Sequence, residues 1–304
     1  MKIDYKRIIP NQESRIRILG MLDFLPDKLM IKLQYRIKTG RKLNLENPRR
    51  FTEKIQWYKL YYRNPLMTKC ADKYNVRSYV AEKGYKNILI PLYGVYEDAE
   101  QINFSDLPNE FVLKTTNGSK TNIICENKNE LDIEKTKKIL NKWLKKRSVK
   151  LGREWAYYNI KPRIICEKFI RDEENQFDGI NDYKFICFNG KAKYVWVDIN
   201  RYTNHRRNFY DLNWNYLDIE SDVPNCGDII PRPEGLEKMT QIANKLAEDF
   251  PHVRVDLYWA NGKIYFGELT FYLLSGYEDF NPDEFDYHLG DLFTIGKTMA
   301  YEGS

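Results

Sequence analysis

The chain has 304 residues, 42% hydrophobic and 14% aromatic, with a formal net charge of +6. That length can bury a core in two or three lobes, and no apolar run approaches the roughly 18 residues of a membrane span. Three histidines without ligand spacing exclude an ordinary zinc site, and five scattered cysteines with no CxxC read as buried free thiols.

The N-terminus, MKIDYKRIIPNQESR, lacks the apolar core of a signal peptide, so a cytoplasmic protein is expected. Sequons such as Asn117-Gly118-Ser119 then carry no glycan. Residues 1–70 hold 17 Lys+Arg against 6 Asp+Glu, while the remainder is net acidic. Residues 13–40 predict two short helices broken near Leu25-Pro26. Their basic and apolar residues leave two placements open: peripheral contact with the anionic inner membrane through residues 1–40, or packing onto the rest of the chain.

Thr52 to Tyr62 predicts a third helix, and Asp72 to Lys83 a fourth, with Asp72 as N-cap and Gly84 as stop. Residues 88–96 predict a strand interrupted by Pro91. FVLK (111–114) and TNIIC (121–125) predict two strands around a Gly-containing loop. Glu130 to Arg147 predicts a charged amphipathic helix, and RIICEKFI (163–170) a buried strand. Two hairpins follow, Asp182–Phe188 with Lys191–Asp198 and Val253–Trp259 with Lys263–Glu268, each turning on Asn-Gly. A helix over Gly235–Phe250 lies between them. Helices mixed with antiparallel strands give an α+β class.

The second hairpin carries the densest chemistry. With a three-residue turn, Ala260-Asn261-Gly262, Trp259 pairs with Lys263 and Arg254 with Glu268. Alternation then projects Arg254, Asp256, Glu268 and Thr270 from one face. A two-residue turn would instead put Asp256 and Glu268 on opposite faces. Two carboxylates and an arginine on one face suit a divalent cation and a phosphorylated intermediate; an ordinary solvated face with a cross-strand ion pair has the same pattern. Lys114 leaves a buried strand beside the Gly118 loop, where a lysine and backbone N–H groups could hold phosphates, although this is no Walker A motif. The strand ending Glu167-Lys168-Phe169-Ile170 suits recognition of an adenine edge through main-chain groups. No nucleophile motif, glycosidase signature or nucleic-acid motif is found.

Taken in order, ADKYNVRSYV, FVLKTTNGS, IICEKFI, DYKFICFNGK, RVDLY and YFGELT resemble the ATP-grasp superfamily. The closer resemblance, over roughly residues 40–290, is to the TupA-like ATP-grasp family, named for teichuronopeptide biosynthesis. It implies an ATP-grasp fold of two α+β lobes clasping ATP, residues 71–166 and 167–304, preceded by a mainly helical region, 1–70. It implies that Lys73 and Lys114 hold ATP phosphates and that Asn117, Gly118 and Ser119 cover them. Glu167, Lys168 and Ile170 match the adenine-binding segment, and Glu174 is a candidate for the ribose. Asp256 and Glu268 match the Mg2+ ligands; Thr270 stands where Asn is usual. Arg254 and Lys184 match groups that stabilise charge near the transferring phosphoryl.

The implied reaction is ATP-dependent carboxylate–amine ligation in surface-polysaccharide biosynthesis, with a uronic acid and a small amine as substrates. Arg201, His205, Arg206 and Arg207 form a basic cluster suited to an anionic sugar or polymer, or to a solvated loop. A glycosyltransferase of the same pathway is the rival activity, though no DxD motif is present. A non-catalytic polymer-binding protein is the third.

Overall fold

The computed structural model describes residues 4–118, 121–145, 150–173 and 175–296. The chain begins with four helices: α1 (Tyr5–Ile8), α2 (Gln12–Met21), α3 (Asp27–Thr39) and α4 (Phe51–Tyr61). Two short helices, α5 (Pro65–Ala71) and α6 (Val76–Glu82), lead into β1 (Leu92–Tyr96), β2 (Phe111–Thr115) and β3 (Asn122–Cys125). Helix α7 (Ile133–Leu144) and strand β4 (Ile164–Lys168) follow. Next come β5 (Asp182–Phe188), β6 (Lys191–Ile199), β7 (Arg206–Asp211) and β8 (Tyr216–Leu217). Helix α8 (Leu236–Ala247), β9 (His252–Ala260), β10 (Lys263–Thr270) and α9 (Glu284–Leu292) complete the elements.

The strands make two antiparallel sheets, ordered β1-β4-β2-β3 and β10-β9-β5-β6-β7-β8. Each has an apolar face because its inward positions alternate. On the small sheet Phe111, Leu113, Ile164 and Cys166 pack with Leu140 of α7. On the large sheet Phe185, Val195, Val197, Val255 and Leu257 join Met239, Ile242 and Leu246 of α8 in the main core. The opposite face of the large sheet carries the charged residues.

Local chemistry accounts for most element ends. Asp132 caps α7 by accepting from the Lys135 N–H, so the helix starts at Ile133 rather than Glu130; Arg147, its expected end, lies outside the described residues. Gly40 ends α3 with φ 75°. The expected helix from Asp72 begins instead at Val76. Asp72 is buried and accepts from the N–H groups of Tyr74 and Asn75, capping a turn that presents Lys73. Strand β1 starts after Pro91.

Elements α1, α5, α9, β7 and β8 had no expectation. Helix α9 contains Gly290, a poor helix former. A Cβ there would meet the Arg49 carbonyl oxygen at 2.1 Å, so close packing on the start of α4 requires the glycine. Asp286 of α9 is buried and accepts from both the N–H and the hydroxyl of Thr52 on α4, at 2.9 and 2.8 Å.

Burial predicts the cost of truncation. Leu246→Ala on α8 is expected to lower unfolding free energy by about 2–5 kcal/mol. Leu29→Ala on the exposed side of α3 should change it by no more than about 0.5 kcal/mol. Urea denaturation of the two variants makes the comparison.

Candidate active site

The β9–β10 hairpin turns on two residues, with Asn261 and Gly262 at φ 49° and 68°. Two positive φ values are what a tight hairpin of the observed twist needs. Lys263 therefore pairs with Ala260, and the expected three-residue turn is wrong. The acids nevertheless share a face, because the register shifts between Phe266 and Glu268. Gly267 is the extra residue of a β-bulge, after which Glu268 lies opposite Asp256 and Thr270 opposite Arg254. A Cβ at Gly267 would stand 3.0 Å from the Asp256 carbonyl oxygen, so the bulge favours glycine.

On that face the Arg254 guanidinium grips Asp256 through two bonds of 2.6 Å. It also donates to Glu268 at 3.1 Å and to the Thr270 hydroxyl at 3.0 Å. Lys184 on β5 lies opposite Asp256 and donates to it at 3.1 Å. Lys184 also donates to Asp182, which Arg201 engages at 2.6 Å. Asp182 pairs in turn with Asp198 of β6, because a second bulge after the Asn189-Gly190 turn sets that register.

Arg207 of β7 binds Asp198 at 2.7 Å and Asp222 at 2.8 Å, and lies over the Trp196 ring. Burial opposes ionisation of Asp198, but His205, Lys184 and Arg207 hold its carboxyl far below the usual range. Burial also opposes ionisation of Glu268, yet Arg254, Lys73 and Lys184 keep its carboxyl below the ordinary value.

Beside this face is a cleft of about 550 Å3 whose lining comes from both sheets. Its walls include Val112, Ile124, Ile170 and Tyr258, and its polar lining includes Lys114, Lys168 and Arg201. Lys114 reaches Glu167 at 2.9 Å, and Arg77 holds the other carboxylate oxygen at 3.0 Å. Lys73 donates to the Gly118 carbonyl. Its burial depresses the ammonium pKa, with Glu268 opposing and Lys114 reinforcing the shift. Asn117 keeps a buried Oδ1 with no donor among the described residues.

Not all sequence candidates converge. Arg206 pairs with Ile199, on the face opposite Arg207. Ser119 and Glu174 lie outside the described residues. The residues the sequence did not flag are Asp182, Asp198 and Arg77. The first two were legible in principle as opposite ends of a predicted hairpin. Arg77 reaches Glu167 across 90 positions, which periodicity does not reveal.

A profile of the TupA-like ATPgrasp family matches residues 53–294. The chain belongs to the TupA-like ATPgrasp family. No curated protein matches it at a significant level. Among solved structures, this ATP-grasp chain is similar to D-alanine–D-alanine ligase from Bacillus anthracis, with TM-score 0.42, 18% identity, and coverage of 66% of this chain and 56% of that one. The same ligase complexed with ATP gives TM-score 0.41, 15% identity and coverage of 66% and 54%. Phosphoribosylamine–glycine ligase from Thermotoga maritima gives 0.38, 13%, and 67% and 48%. The chain spans about half the length of these structures.

Beyond Arg207, the Asp222 N–H donates to Glu278 at 2.8 Å. Burial, then Asp222, pushes the Glu278 carboxyl up to about 7. The folded chain thus keeps a proton that the unfolded chain releases above about 4.5. That contribution to stability is present below the unfolded value and lost as pH rises through about 7. Glu278→Gln keeps an acceptor for Asp222. It is expected to gain stability over the parent progressively between about pH 4.5 and 7, read from urea midpoints across that range.

Proposed function

We propose that the chain is an ATP-dependent carboxylate–amine ligase that joins an amino acid or other small amine to a uronic acid of a bacterial surface polysaccharide, on the cytoplasmic side of the cell envelope. The carrying observation is that the cleft lined from both sheets, with an apolar slot and cationic groups, meets the charged face of the large sheet through Tyr258 of β9 and through Arg201, which pairs with Asp182. In this reading the two sheets are the cores of two lobes, 71–166 and 167–304, that clasp ATP, and residues 1–70 support them.

Adenine would enter beside Ile170 and Lys168, with Glu167 and its Arg77 and Lys114 partners at the strand end and Glu174 near the ribose. Lys114 and Lys73 would meet the phosphates, with Asn117, Gly118 and Ser119 above them. The donor set at the hairpin fits Mg2+: two carboxylates and a hydroxyl are hard oxygen ligands, and half-exposed Glu268 leaves an open side. Among the described residues no group of three or more His, Cys, Asp or Glu could hold a metal; Mg2+ usually also keeps waters and phosphate oxygens as ligands. Bound there, Mg2+ would neutralise phosphate charge.

The chemistry then divides into two displacements. A substrate carboxylate oxygen attacks the γ-phosphorus and ADP leaves. The amine nitrogen next attacks the acyl phosphate carbon; phosphate leaves and the nitrogen gives up its proton. In this reading Arg254 and Lys184 would stabilise the negative charge that develops in both steps. Both Arg201 and Arg207 pair with carboxylates, but Arg201 lines the cleft and is 40% exposed whereas Arg207 is buried, so Arg201 is the cation of the basic cluster that could reach an anionic sugar.

Lys114→Ala is expected to weaken ATP binding at least tenfold in calorimetry without unfolding the chain, because Arg77 still pairs with Glu167. Glu268→Gln should bind ATP within a few-fold of the parent and lose at least about a thousandfold in turnover. The turnover assay supplies ATP, Mg2+, uronic acids and amino acids and reads ADP with amide. Sugar transfer from a nucleotide sugar without ATP would replace the ligase reading with a glycosyltransferase.

A further inference from the structure

Helix α3 divides its surface cleanly. Positions 30, 31, 34 and 35 are buried, and Ile31 and Tyr35 pack against Leu43, Leu45 and Trp57. Positions 28, 29, 32, 33 and 36 are exposed and share one arc at helical spacing. That outer arc reads Lys28, Leu29, Lys32, Leu33, Arg36, three cations beside two leucines, with Leu29 53% and Leu33 45% exposed.

The preceding helix packs only loosely, with Arg15, Ile16, Leu19 and Gly20 part-buried. None of the ten residues of α2 is buried, although it carries Ile16, Ile18, Leu19 and Met21. Met21 is 62% exposed, and Phe24 in the α2–α3 corner is 80% exposed. An exposed phenylalanine at a corner, flanked by a bare methionine and two bare leucines, forms an apolar patch of the kind that marks an interaction surface.

The corner is not loose. The Arg153 side chain is buried and donates to the Leu22 carbonyl at 2.8 Å, to the Leu25 carbonyl at 3.1 Å and to Asp27 at 2.9 Å. It also faces Asp23 at 3.9 Å. Arg153 thus fixes the corner to the body of the protein and offsets its two acids from inside. The cations of α3 remain outside, so the patch presents positive charge among apolar side chains.

We propose that the outer side of α2 and α3, centred on Phe24, Leu29 and Leu33, docks on an anionic lipid bilayer. Apolar side chains that enter the headgroup boundary, ringed by Lys and Arg, are what such a surface selects. Charge complementarity argues for this occupant. A second copy would bring like charges together, and an apolar protein partner would not use Lys28, Lys32 and Arg36. Docking does not depend on the ligase reading. It would hold the cleft at the membrane surface whatever reaction the cleft performs.

The full chain is sedimented with vesicles of phosphatidylcholine alone and of phosphatidylcholine mixed with phosphatidylglycerol, at low and high salt. Binding is expected only to the mixed vesicles and should fall as salt rises. Lys28→Gln with Lys32→Gln should reduce the partition about fivefold for each charge removed. Phe24→Ser with Leu29→Ser should reduce it more than tenfold. These side chains are exposed, so circular dichroism melts should match the parent, and ATP binding should be unchanged in both variants. No binding to mixed vesicles at low salt overturns the proposal. Equal binding by the Phe24→Ser, Leu29→Ser variant, or concentration-dependent dimers lost in that variant without vesicle binding, also overturns it.

Discussion

Four carboxylates, on Asp182, Asp198, Asp256 and Glu268, share one face of the large sheet, and three of them have almost no contact with water. A buried charge without a partner costs several kcal/mol, so each must be answered within bonding distance. Lys184, Arg201, Arg207 and Arg254 answer them across five adjacent strands, β10-β9-β5-β6-β7, and the loop after β6. The apolar opposite face provides the rigid platform, since α8 closes it with a continuous core. Such a face holds preset charges, so little reorganisation would be needed if a charged ligand arrived there.

Two β-bulges make that face possible. Tight Asn-Gly turns fix each hairpin, and strict alternation from those turns would separate Asp256 from Glu268. One extra residue in each hairpin corrects the phase. In the second hairpin it is Gly267, which tolerates the close approach of the Asp256 carbonyl. The first hairpin shifts between Ile186 and Cys187 and so aligns Asp182 with Asp198. The outer strands then inherit the register, which is why Arg207 meets Asp198 while its neighbour Arg206 turns away.

Much of this was legible in the sequence. Both Asn-Gly hairpins and the helix between them follow from residue pattern, and the sequence also places Arg254, Asp256, Glu268 and Thr270 on one face. The face was reached through the wrong turn. The sequence offers a three-residue turn ending at Gly262, whereas the turn has two residues and the bulge is at Gly267, and nothing in a single glycine reveals which. The sequence starts a helix at Asp72 because Asp72 is a good cap, whereas α6 starts at Val76, and only the buried hydrogen bonds of Asp72 show that it caps the turn before it. Helix α9 was missed because Gly290 weakens its local signal, and its fit against Arg49 is a tertiary fact. The pairing of Arg77 with Glu167 is likewise set by how β4 and α6 meet, not by spacing.

The central claim is that this charged face activates a carboxylate by phosphorylation. Trapping with hydroxylamine tests it most directly, because an acyl phosphate yields a stable hydroxamate. The protein is incubated with ATP, Mg2+, a uronic acid and hydroxylamine, with no other amine present. The account predicts hydroxamate in step with ADP, and loss of both when Glu268 becomes glutamine. ADP release with no hydroxamate from any carboxylate supplied, or hydroxamate undiminished in the Glu268→Gln variant, would contradict it.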